Sequence, residues 1–237
     1  MITVVIPTMW KFKPFINFLY DMLEVPSIGE ILIYDNDPDN APNDPIFKHP
    51  KVNCVSFGKN IYVNPAWNMG VRNAKYDNIC LMNDDVIVDL KIFHRMDQFL
   101  KPGIGLCGIC PGLKEEFGQV PITTGEIGLM HCATLYNPRA HFGLGTLMFF
   151  HKSEYIPIID GLDLYWGDNF IYDTLFLKLN QNYHIVNTFY YTPYAVTTST
   201  ITNSGEILSR EHEVYNREMP ALLEKIRLEN AYRTGFN

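Results

Sequence analysis

The strongest constraint on the fold is the alternation of short apolar runs with amphipathic stretches through the first hundred or so residues. Ile2 to Ile6 is a β-branched run closed by Pro7, which suits a strand buried on both faces. Phe12, Phe15, Ile16, Leu19, Met22 and Leu23 follow three and four apart, the spacing of one helix face. "EILIYDND" (30–37) reads as a second strand ending in acid, and "KVNCVSF" (51–57) as a weaker third. "NPAWNMGVRNA" reads as a helix with Asn64 as N-cap and Pro65 at its first position, where a missing N–H costs nothing. "NICLM" is a further strand. Asp89 is placed to cap a helix carrying Leu90, Phe93, Met96 and Leu100, and "GLCGI" from Gly105 returns to strand.

Strands alternating with helices predict an α/β fold with a largely parallel sheet flanked by helices. Ligands of such sheets bind outside the carboxyl ends of the strands. Thr8, Asp35 and the cluster Asn83-Asp84-Asp85 all fall at predicted strand ends. Adjacent carboxylates at one strand end repel unless solvent or a cation relieves them. Taken alone, the cluster suits either a solvated turn or a Mg²⁺-type oxygen site that uses one or two carboxylates plus substrate phosphates.

The later part of the chain is less periodic. Residues 111–145 are rich in Gly and Pro and read as a long loop region. "TLMFFHK" (146–152) resumes strand character, and "HIVNTF" is a late strand. Between them "GLDLYWGDNFIYDTL" leads through a Gly turn into a helix, with Asp168 at or just before its start. That acid suits a helix N-cap or a first-turn residue facing the positive end of the helix, a general base walled by Tyr165, Trp166, Phe170 and Tyr172, or both at once. From Ser209 the chain is helical in composition, with an interruption expected at Pro220.

Composition excludes some classes. A net charge of −7 with no block of Lys or Arg leaves no basic face for a nucleic acid. The five cysteines, Cys54, Cys80, Cys107, Cys110 and Cys132, are an odd set. They read as reduced buried thiols, and the lone CxxC of Cys107 and Cys110 has no second pair to build a zinc site. The start "MITVVIPT" has no signal-peptide form, and no window reaches the roughly 20 apolar residues of a membrane span. A soluble cytoplasmic protein is expected.

"VVIPT", "ILIYDND", "NPAWNMGVRNA", "LMNDDV" and "GLDLYWGDNFIYDTL", in this order and spacing, resemble the GT-A-fold nucleotide-sugar glycosyltransferases, most closely their large inverting family. The likeness spans roughly residues 1–190. It implies a GT-A, Rossmann-like domain over residues 1–200, with a nucleotide-binding half at 1–110 and an acceptor half at 111–200. Residues 201–237 would be a short helical extension. Pro7, Thr8, Asp35, Asn36 and Asn68 would then contact the nucleotide, with Gly70 completing the N-x-G pattern. Trp67 stands where many relatives have Arg. Asn83-Asp84-Asp85 matches the D-x-D motif with Asn83 in place of the first Asp. Asp85 would be the ligand of Mn²⁺ or Mg²⁺, while Asn83 and Asp84 would contact the donor. The strand at "TLMFF", preceded by Gly143 and Gly145, would form the acceptor side, and Asp168 would be the catalytic base. A late His common in relatives has no counterpart in "YAVTTSTITNSG", which leaves His184 and His212 as candidates. The implied activity is sugar transfer from a UDP-, GDP- or dTDP-linked donor to a glycan hydroxyl, with inversion. The competing readings are a sugar nucleotidyltransferase, whose Gly-rich first loop "PTMWKFKPF" lacks, and an inactive carbohydrate- or nucleotide-binding protein of the same fold.

Overall fold

The opening apolar run is the centre of the sheet. In the computed structural model, which describes residues 1–109, 126–132, 134–135, 144–193 and 201–234, every residue of β1 (Ile2–Thr8) is buried. Val4 and Ile6 belong to one core layer and Val5 to the other, as the two-residue period of a strand requires. The first layer is completed by Phe15, Phe18, Leu19 and Met22 of α1 (Phe15–Leu23) and by Ile92, Phe93 and Met96 of α3 (Lys91–Phe99). The second is completed by Ala66, Trp67 and Val71 of α2 (Val63–Asn73) and by Phe170, Ile171 and Leu175 of α4 (Gly167–Leu179). Gly70 lets α2 approach β1: a Cβ there would stand 2.1 Å from Val5 Cγ1.

Four neighbouring strands are parallel: β3 (Val52–Ser56), β2 (Ile28–Asp35), β1 and β4 (Asn78–Met82). β8 (Leu147–His151) runs antiparallel between β4 and β6 (Cys107–Ile109). β9 (Asn182–Val186) is parallel to β6, and β7 (Gly128–Cys132) closes the far edge antiparallel to β9. The order β3-β2-β1-β4-β8-β6-β9-β7 makes one mixed sheet that runs across both halves expected from the sequence. The short β5 (Ile87–Val88) pairs with β10 (Tyr190–Tyr191) in a separate ribbon. The C-terminal α5 (Ser204–Thr234) follows, and its Met219 joins the second core layer.

Several local expectations change. α2 begins two residues earlier than its Asn-Pro signal: Tyr62, at φ 64°, is the N-cap and Asn64 lies inside the helix. The Asn64 amide is instead recruited by distant carbonyls, described below. Asp89 does accept the Lys91 N–H at 3.0 Å, but Leu90 occupies the cap position. The region 111–145 contains β7, an edge strand with Met130 exposed, so it lacks the buried run that marks a strand in sequence. Its segments 110–125 and 136–143, with Cys110 and Gly143, lie outside the described residues, as do residues 194–200. α5 begins at Ser204 and continues through Pro220. Asn216, four residues before that proline, is exposed, so the carbonyl freed there can be hydrated while Met219 and Ile226 stay buried. Cys54, Cys80, Cys107 and Cys132 form no disulfide among the described residues, and burial pushes the pKa of Cys54 up to about 11. No helix among the described residues is long and apolar enough to cross a membrane.

Candidate active site

The carboxyl ends of β1, β2 and β4 are tied together by their own polar residues. Thr8 pairs in register with Asp35. The buried Thr8 hydroxyl donates to Asp84 Oδ2 at 2.6 Å, and the Met9 N–H donates to the same oxygen at 3.3 Å. The chain then turns at Trp10, in the left-handed region at φ 61°, where the Trp10 N–H donates back to Thr8 Oγ1. The Trp10 indole N–H reaches Asp35 Oδ1 at 2.8 Å, and the Asp37 N–H donates to that oxygen at 3.0 Å. Asn36 donates its backbone N–H to Thr8 O, while its side chain accepts from Ile61 N–H and donates to Tyr62 O. These bonds explain three strand ends finishing in polar residues: each side chain satisfies a backbone group that the sheet no longer can.

A cavity of about 200 Å³ opens at this edge. It gathers Pro7, Thr8, Asn36, Asn83, Asp84 and Asp85 from the sequence expectations. Asp84 and Asp85 are 3% and 5% exposed, and the Asn83 N–H is fixed by Thr146 O at 3.0 Å. Asn60, Tyr62, Val63, Thr146, Leu164, Tyr165 and Thr192 complete much of the wall. Of these Tyr165 was named as a candidate wall residue, Leu164 lies in the same quoted motif, and Thr146 opens the strand expected on the acceptor side. Asn60 and Tyr62 reach the cavity through the Asn36 clamp, a contact across the sheet edge that no local pattern encodes. Two carboxylates and no Lys or Arg line the cavity among the described residues. Carboxylate oxygens of this kind suit a hard divalent ion. Among the described residues no three His, Cys, Asp or Glu side chains cluster into a self-sufficient metal site. Asp85, with Asp84 beside it, offers carboxylate oxygens that ligand or water oxygens could complete into a cation site.

Three expected residues stand outside the lining. Asp35 is buried and engaged by Trp10 and Asp37 as described. Asn68 works between elements: its Nδ2 donates to Ile158 O, and its Oδ1 accepts from Tyr155 OH at 2.7 Å and Ile158 N–H at 2.9 Å. Trp67, its neighbour, is core. Asp168 sits half-buried in the first turn of α4 against Gly145, where a Cβ would come within 2.9 Å of the Asp168 carboxylate. Gly145 is the chain neighbour of cavity-lining Thr146. Burial raises the Asp168 carboxyl above its ordinary value, against the lowering effect of the N–H groups of Asn169, Asp168 and Gly145.

The loop before α4 is held from two sides. Asn64 Nδ2 donates to Leu162 O and Tyr165 O, and the Asn64 N–H donates to Asp163 O. From α5, the buried Glu211 carboxylate accepts the N–H groups of Asp163, Leu164 and Tyr165. Neither late histidine lines the cavity. His184 is buried on β9, and exposed His212 packs at a tilt against Trp166 with ring centroids 5.0 Å apart.

No protein-family model matches the chain, and no curated protein matches it by sequence. Among solved structures it is similar to residues 1–349 of S. aureus TarS, at 15% identity and TM-score 0.57, over 97% of this chain and 70% of that one. The same TarS fragment in complex with UDP-GlcNAc aligns at 15% identity and TM-score 0.56, over 97% and 71% of the two chains. Its complex with UDP aligns at 15% and 0.55, over 98% and 71%. Identity this low speaks for the fold: the chain has the α/β, GT-A-like architecture that it shares with the TarS fragment.

Proposed function

We propose that this chain is an inverting, divalent-cation-dependent glycosyltransferase that moves a sugar from a nucleoside-diphosphate donor to a hydroxyl of a glycan acceptor. The observation that carries the reading is the buried pair Asp84–Asp85 facing one cavity with Thr8 and Asn36, at the carboxyl ends of parallel strands. The GT-A-like fold supports it. The TarS fragment has been crystallised with UDP-GlcNAc and with UDP, which makes UDP-linked donors the first to test.

In this reading Asp85, with Asp84 at its side, holds Mn²⁺ or Mg²⁺. The bound cation would offset charge on the diphosphate leaving group. Thr8, fixed to Asp84, and Asn36, fixed to the 61–62 backbone, form the nucleotide side of the cavity, with Pro7 as its apolar floor. Asn83 and Asp84 face the sugar and phosphate end. Asp35 and Asn68 act one layer back: Asp35 orders the 8–10 turn through Trp10, and Asn68 orders the 155–158 segment. Asp168 takes the proton of the acceptor hydroxyl as its oxygen bonds to the anomeric carbon and the carbon–phosphate-oxygen bond breaks. Burial makes that carboxylate a stronger base than one in water. One displacement with one base inverts the anomeric configuration. Leu164 and Tyr165 exclude water from the wall opposite the nucleotide.

The test is sugar transfer from UDP-, GDP- and dTDP-sugars by wild type and Asp168→Asn. The variant should retain UDP binding and lose at least about 100-fold in kcat. Transfer at the wild-type rate by Asp168→Asn would remove the base from the scheme.

A further inference from the structure

Glu211 has a completely buried side chain on α5, a helix most of whose neighbouring positions are exposed. Burying a carboxylate is costly unless hydrogen bonds replace its hydration, and here they come from one place. Glu211 Oε1 accepts from Asp163 N–H at 3.0 Å and Leu164 N–H at 3.1 Å. Oε2 accepts from Leu164 N–H at 3.2 Å and Tyr165 N–H at 2.7 Å. Three consecutive amides of one loop thus converge on one side chain 46 or more positions later. The loop's carbonyls go the other way, to Asn64. Between these two anchors the loop presents Leu164 and Tyr165 to the cavity. It then passes through Trp166, a non-glycine residue at φ 62°, into Gly167 and Asp168. The Trp166 ring lies on α5 as well, with centroids 5.0 Å from His212 and 4.9 Å from Tyr215.

We propose that Glu211 is a positioning residue for the sugar-transfer reaction: its carboxylate fixes the 163–165 backbone so that Tyr165 faces the cavity and Asp168 is aimed at the acceptor. The C-terminal helix is then part of the active site without touching substrate. This inference rests on the function proposed above. It separates two duties, because the nucleotide side of the cavity is held by β1, β2 and β4 through Thr8, Asn36 and Asp84 and owes nothing to α5.

Glu211→Gln tests it. The amide keeps the shape and one acceptor oxygen but turns two donors toward the loop amides. The expected result is a folded protein whose 163–165 amides exchange about tenfold faster while those of β1 and β4 do not change. UDP affinity should stay within about twofold, and kcat for transfer should fall at least about tenfold with misalignment of the base. Arg217→Ala, which removes an exposed ion pair to Glu218 at 2.7 Å on the same helix and leaves Glu211 and the 163–165 loop in place, should match wild type in both exchange and kcat. Unchanged exchange in Glu211→Gln, an unchanged kcat, a drop in UDP affinity equal to the drop in kcat, or failure to fold would each overturn the positioning role. Exchange is read whether or not the protein turns over. Absence of transfer by wild type therefore counts against the proposed function, and unchanged exchange counts against Glu211.

Discussion

Thr8→Val isolates the bond that joins the ends of β1 and β4. Valine has the shape of threonine, so the substitution opens no cavity in the buried position that Thr8 fills. What it removes is the hydroxyl donating to Asp84 Oδ2 at 2.6 Å and accepting from Trp10 N–H at 2.9 Å. A hydrogen bond to a charged partner is worth about 1.5–3 kcal/mol, and a buried group left unpaired adds its own penalty. A loss of about 2 kcal/mol lowers the Tm of a chain of this length by about 4–8 °C. Thr8→Ser is the control, since it keeps the hydroxyl and gives up one buried methyl, worth about 1 kcal/mol. Calorimetry on the three proteins should therefore rank wild type above Thr8→Ser above Thr8→Val. UDP affinity should fall with Thr8→Val and be largely kept by Thr8→Ser. A Thr8→Val protein as stable as wild type, or more stable than Thr8→Ser, would refute the claim that this hydroxyl joins the ends of β1 and β4.

Two further outcomes follow from packing and burial. Gly70→Ala places a Cβ 2.1 Å from Val5 Cγ1 and should cost about 1–3 kcal/mol of overpacking, read as a lower midpoint in urea; Val5→Ala on that background should restore part of it. Asp168 has a folded pKa raised above its ordinary value, so its contribution to stability is fully present below that ordinary value and is lost as pH rises through the raised one. Asp168→Asn should therefore be more stable than wild type at neutral pH, with the advantage shrinking as unfolding is measured at progressively lower pH. An advantage that grows on acidification would show that the carboxylate is stabilised, not strained, by its site.

The parts of the molecule set by local periodicity were legible in the sequence, and the parts set by contacts across the chain were not. Thr8, Asp35 and Asn83-Asp84-Asp85 could be placed at strand ends because Val4, Ile6 and Ile79–Met82 are runs whose limits are visible residue by residue. Asn68 and Gly70 fitted a family pattern, and each also makes a contact that no pattern states: Asn68 clamps Tyr155 and Ile158, and Gly70 makes room for Val5. Asn64 read as a cap because Asn-Pro is a local helix signal. Its amide was claimed instead by carbonyls about a hundred residues away. Glu211 gave no signal at all, since a glutamate in an exposed helix becomes a buried anchor only when a particular loop packs on it. β7 and the β5–β10 ribbon escaped for a related reason: edge and two-residue strands bury too little to show a pattern.

The central claim is that Asp84 and Asp85 make this cavity a cation-assisted nucleotide-sugar site. Its most direct measurement is a thermal-shift titration of wild type and Asp85→Ala with UDP-, GDP- and dTDP-sugars, with and without Mn²⁺. A ligand that binds only the native state raises apparent stability by mass action, by about 2.7 kcal/mol at a hundred times Kd. The account predicts a shift for wild type with one of the nucleotide families, larger when Mn²⁺ is present, and no Mn²⁺-dependent gain for Asp85→Ala. No shift with any nucleotide-sugar would contradict the function, and an equal Mn²⁺-dependent gain in Asp85→Ala would contradict the metal assignment.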